Sequence, residues 1–98
     1  MAIPETLRPL FPDVAFEKLD WKEHRNLIIR RVLEAGTLEM VAWLRAQVSD
    51  AELAEWITAR HGAGLLPQKL RYWQLALKLD PRSVDEWVRG RRSHLWEM

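Results

Sequence analysis

The sequence predicts an all-α fold, a compact five-helix single domain with an extended N-terminal arm. Three observations point there. Leu and Ala supply 15 and 10 of the 98 residues, against 13 for Val, Ile and Thr together, a balance that favours helix over strand. Apolar residues recur three and four apart through five separate stretches, the spacing of a helix face. Capping residues, prolines and glycines stand between those stretches, where helices start and stop.

Pro4, Pro9 and Pro12 make residues 1–19 an extended or turn-rich arm, with Leu7, Leu10, Phe11, Val14 and Phe16 free to pack on a body. Asp20 and Glu23 form a capping box that opens the first helix at Trp21. It runs to about Ala35, with Gly36 as a left-handed stop. Trp21, Ile28, Ile29, Val32 and Leu33 share its inner side, and Arg25 falls inside that stripe. A guanidinium keeps its charge, so its burial requires a carboxylate or carbonyl partner. Asp13, Glu17 and Asp20 are the candidates, and Arg25→Ala is expected to destabilise the fold.

Thr37 caps a second helix over 38–48, buried through Met40, Val41, Leu44 and Val48. Ser49 and Glu52 form another capping box, opening a third helix to about Arg60 that is buried through Leu53, Trp56 and Ile57. His61-Gly62-Ala63-Gly64 breaks the chain. Pro67, at a first helical position, starts a fourth helix ending near Leu79. Asp80-Pro81 and Ser83-Val84-Asp85-Glu86 start a fifth, with Val84, Trp87 and Val88 inward. Gly90 costs that helix about 1 kcal/mol relative to Ala, so the helical domain is drawn over 20–90 and a basic tail over 91–98. Of six tryptophans, Trp21, Trp43, Trp56, Trp73 and Trp87 lie on or beside inward stripes, whereas Trp96 lies in the tail.

Composition narrows the function classes. The formal net charge of +1 demands neither nucleic acid nor an anionic membrane. With no cysteine there is no disulfide, thiolate metal site or cysteine nucleophile. The opening residues lack the pattern of a signal peptide, so a soluble cytoplasmic protein is expected. His24, His61 and His94 make no helical metal pair, Ser49 and Ser83 read as caps, and Asp50, Glu52, Asp85 and Glu86 suit first helical turns. The glycine-rich break lacks the Lys-Ser/Thr of a phosphate loop. No catalytic residue, cofactor site or metal site is therefore assigned, and the chain reads as a non-enzyme.

Charge is uneven locally. Trp56 through Leu79 holds no Asp or Glu but contains Arg60, Lys69, Arg71 and Lys78, and Arg89, Arg91 and Arg92 follow. The fourth helix has two apolar sides, Leu70, Trp73 and Leu77 on one and Tyr72, Leu75 and Leu79 roughly opposite, which marks it as central or as an interface. The turn between the second and third helices invites a helix-turn-helix comparison. Asp50, Glu52 and Glu55 would repel phosphates there, so an ordinary helical hairpin fits better.

The run Phe11-Pro12-Asp13-Val14, then Leu19-Asp20-Trp21-Lys22-Glu23-His24-Arg25 and Ile28 through Gly36, resembles a family of small, uncharacterised prokaryotic all-helical domains. Leu66-Pro67 and Tyr72-Trp73 extend the resemblance, which covers roughly residues 11–79. Relatives tend to carry Ser before that proline, where this chain has Leu66. The resemblance implies a gene neighbourhood beside abortive-infection-type nucleotidyltransferase toxins and hence an antitoxin-like or regulatory role. The expected function is a protein-interaction module of a toxin–antitoxin pair, binding its partner through Arg71, Tyr72, Leu75, Lys78, Arg89, Arg91, Arg92 and Trp96. The alternative is a DNA-binding regulator using Lys69, Arg71, Lys78, Arg91 and Arg92. A second copy of the chain is a further candidate partner, and no membrane is implied.

Overall fold

Helix-forming residues punctuated by caps wind most of the chain into helix. The computed structural model describes residues 3–97, with side chains as far as Gly90. Among them are five α-helices: α1 Arg25–Ala35, α2 Leu38–Gln47, α3 Asp50–Ala59, α4 Pro67–Ala76 and α5 Pro81–Glu97. No strand occurs among the described residues, and the fold is all-α. The chain divides into two compact units, Met1–Gln47 and Val48–Met98.

In the first unit the proline-rich lead takes a turn-rich form, two short 3-10 helices at Glu5–Leu10 and Phe16–Lys18. Proline presets the φ that such turns use. Ile3, Leu7, Phe11, Phe16 and Leu19 are buried, whereas Val14 is exposed. The first of these helices packs on α1. Arg31 ties the lead down: its Nη1 donates to the Leu10 carbonyl at 2.9 Å, its Nη2 to Asp13 Oδ2 at 2.8 Å, and it lies over the Phe11 ring at 5.2 Å. Arg8 takes Glu17 at 2.9 Å. Of the carboxylates expected beside Arg25, Asp13 pairs with Arg31 and Glu17 with Arg8. Arg25 sits over Trp21, 5.8 Å from the ring centre. It stands in the first turn of α1, and only nearly two turns further on does the helix bring Arg31 to the lead.

α1 also begins four residues later than the capping box implies. Asp20 Oδ2 accepts from the N–H groups of Lys22 at 3.0 Å and Glu23 at 3.2 Å, forming a turn. The Asp20 N–H, which Glu23 would engage in a capping box, donates to His24 Nδ1 at 3.0 Å. Ile28, Ile29, Val32 and Leu33 are buried, and α1 packs on α2, which buries Met40 and Leu44. Thr37 caps α2, its Oγ1 accepting from the Met40 N–H at 3.3 Å. Gly36 closes α1 in an extended, not left-handed, conformation (φ −72°). A Cβ there would lie 2.5 Å from the Val32 carbonyl oxygen.

The second unit opens on the Ser49 cap: Ser49 Oγ accepts from the Glu52 N–H at 3.1 Å and donates to Glu52 Oε1 at 3.3 Å. α3 buries Leu53, Trp56 and Ile57. It ends where His61 and Gly62 are both left-handed, at φ 51° and 70°. α4 buries Leu70 and Trp73 and packs on α5. Asp80 caps α5, Oδ1 accepting from the Arg82 N–H at 3.1 Å. The α5 backbone runs through Gly90 to Glu97, so residues 91–97 continue a helix where a tail is expected. A Cβ at Gly90 would meet open space, and its weak propensity is the only local cost. Of the five tryptophans expected inside, Trp56 and Trp73 are buried. Trp21, Trp43 and Trp87 are half-buried, each against another ring: Trp21 edge-on to Trp43 at 5.4 Å and Trp87 stacked on His61 at 6.0 Å.

Candidate functional site

The site is built on α4, whose inner side is committed to the core of its unit through Leu70 and Trp73, 0% and 1% exposed. Gln68, Arg71, Tyr72 and Leu75 stand at i, i+3, i+4 and i+7, one continuous stripe. That stripe faces outward, with Tyr72 49% and Leu75 79% exposed. The Tyr72 ring meets Trp73 edge-on at 5.0 Å, so the neighbouring buried indole braces it.

Leu79 does not join the stripe. α4 stops at Ala76, Lys78 turns left-handed (φ 56°), and the Leu79 N–H reaches back to the Gln74 carbonyl at 2.9 Å. That reversal buries Leu79. Glycine normally occupies such a position, and lysine holds it here with its side chain exposed.

The cations around the stripe differ in their partners. Arg71 Nη2 pairs with Asp85 of α5 at 2.6 Å, and its Nη1 donates to Gln74 Oε1 at 2.9 Å. Arg60 donates to the Trp56 carbonyl at 3.1 Å and lies over the Trp56 ring at 4.2 Å, capping its own helix. Lys69 and Lys78 are exposed, and no carboxylate among the described residues lies within ion-pair distance of either. Arg89 is exposed on α5, one turn beyond Asp85 and so on the side of α5 that meets Arg71. The side chains of Arg91, Arg92 and Trp96 lie outside the described residues. Arg71, Tyr72 and Leu75 thus share one outward stripe, with Lys69 at its border and Lys78 in the turn that follows the helix.

Asp85 is the residue that sequence reading missed, since its place in the first turn of α5 explains it without Arg71. The glycine-rich loop is occupied with itself. The N–H groups of His61, Gly62, Ala63 and Leu65 donate to the carbonyls of Thr58, Ile57, Arg60 and Gly62 at 3.0–3.2 Å, which leaves those donors engaged. Among the described residues, no group of three or more His, Asp or Glu side chains is placed to hold a metal ion. No helix among them is long and apolar enough to cross a membrane.

Residues 6–57 match the model of a family of unknown function. The match begins in the first 3-10 helix and ends in α3, so it stops short of the 11–79 span that the resemblance suggests, and α4 and α5 lie beyond it. No curated protein and no solved structure matches the chain.

Proposed function

The chain belongs to that family, DUF6922, and we propose that it is a non-enzymatic protein-interaction module, the antitoxin-like or regulatory partner in a bacterial toxin–antitoxin pair acting in the cytoplasm. The observation that carries this reading is the outward stripe of α4, where Tyr72 and Leu75 stay exposed on a helix whose other side is fully buried. Tyr and Arg are among the residues from which interface hot spots are built, and here Tyr72, braced by Trp73, stands beside Arg71 with Leu75 adding exposed apolar surface. The resemblance carried by Leu19 through Gly36 implies a nucleotidyltransferase toxin as the partner.

The DNA-binding alternative has less support from the stripe. Its centre, Tyr72 and Leu75, is apolar. Co-expression with the product of the adjacent gene, followed by co-purification, tests the proposal. A complex that relieves toxicity is expected. No complex and no relief would refute it.

A further inference from the structure

We infer that the outward stripe of α4 takes an acidic amphipathic helix of a partner protein, its apolar side on Tyr72 and Leu75 and its carboxylates beside Lys69, Lys78 and Arg71. The inference rests on the interaction-module reading and adds the chemistry of the partner.

Charge complementarity selects the occupant. Trp56 through Leu79 carries four cations and no acid; Lys69 lies at the border of the stripe on α4, and Lys78 follows two residues past the helix end. The stripe already holds a carboxylate, Asp85 on Arg71 at 2.6 Å. Both side chains of that pair are almost half exposed, at 47% and 44%, and exposed pairs of this kind contribute little. A partner's carboxylate can therefore replace Asp85 on Arg71 with small loss. Stripe positions at i, i+3, i+4 and i+7 match the repeat of a facing helix, which can insert apolar side chains beside Leu75 while its flanks stay charged.

The test titrates the isotope-labelled full chain with two synthetic amphipathic helical peptides and a DNA duplex, read by amide chemical shifts. The peptides share one Leu/Ala stripe and differ only in carrying Glu or Lys on the flanks. The Glu peptide should bind saturably, move the amides of Tyr72, Leu75 and Lys78, and weaken as salt rises. Asp85→Asn, which releases Arg71, should tighten it roughly threefold. Lys69→Glu with Lys78→Glu should weaken it roughly tenfold and favour the Lys peptide. Equal binding of both peptides, shifts confined to other surfaces, or stronger binding of the duplex at the same amides would overturn the inference. Absence of binding by the Glu peptide would overturn it too. The interaction-module reading would then stand or fall separately, on co-purification with the adjacent gene product.

Discussion

Arg31 shows how one side chain can set the course of a segment that has little regular structure. It meets Asp13, the Leu10 carbonyl and the Phe11 ring together while only 24% exposed. Arg31→Met is expected to lower stability by about 1–2 kcal/mol, measured by urea unfolding. The same contact gives a pH dependence. The hydrogen bonds from Arg31, helped by the residue's own backbone N–H, lower the Asp13 carboxyl from 3.8 to about 2. A depressed carboxylate stabilises the folded chain above its ordinary value, and that contribution is lost as pH falls from about 4 towards 2. Unfolding midpoints across that range should drop less steeply in Asp13→Asn than in the parent chain. Gly62 is the other residue with a sharp expectation. Its φ is 70°, and a Cβ would lie 2.6 Å from Cδ2 of the fully buried Leu70. Gly62→Ala should cost about 2 kcal/mol. A change below a few tenths would mean that the loop relaxes. At this scale the sequence makes legible that an arginine beside the apolar stripe of α1 needs a partner. That Arg31 holds Asp13 is not legible, because the pairing depends on how the lead lies on α1.

At the scale of elements, local chemistry was legible wherever the capping group had no competitor. Ser49 and Thr37 cap α3 and α2 as their sequence contexts predict. Asp20 does not, because the His24 ring, four residues on, takes the backbone donor that the capping box needs. The C-terminus of α4 was not legible: a lysine in a left-handed turn carries no sequence signal, so the reversal that buries Leu79 reads as continued helix. Two substitutions follow. Gly90→Ala on α5 should stabilise by up to about 1 kcal/mol, since the added methyl meets open space. Lys78→Gly should stabilise by about 1 kcal/mol by relieving the left-handed turn, while weakening partner binding. Thermal melts and binding measured on the same variant would separate the two effects, and a melt lowered by Lys78→Gly would contradict the turn argument.

For the molecule as a whole, the two units hold different information. Unit Met1–Gln47 lies mostly inside the family match and holds the Arg31–Asp13 and Arg8–Glu17 pairs and the Trp21–Trp43 contact. Unit Val48–Met98 holds α4, with one side buried and one side exposed. The all-α fold was legible from composition, spacing and capping residues together, and the two sides of α4 from its spacing. The outward stripe needed the structure, because Leu75 and Leu79 look equivalent in sequence and only one is exposed. The measurement closest to the central claim compares the parent chain with Leu75→Ser in calorimetric titration against the adjacent gene product. The variant should unfold within about 0.5 kcal/mol of the parent, since a side chain 79% exposed holds little of the core. It should nonetheless bind at least about tenfold more weakly. Equal affinity of the two chains would contradict the account.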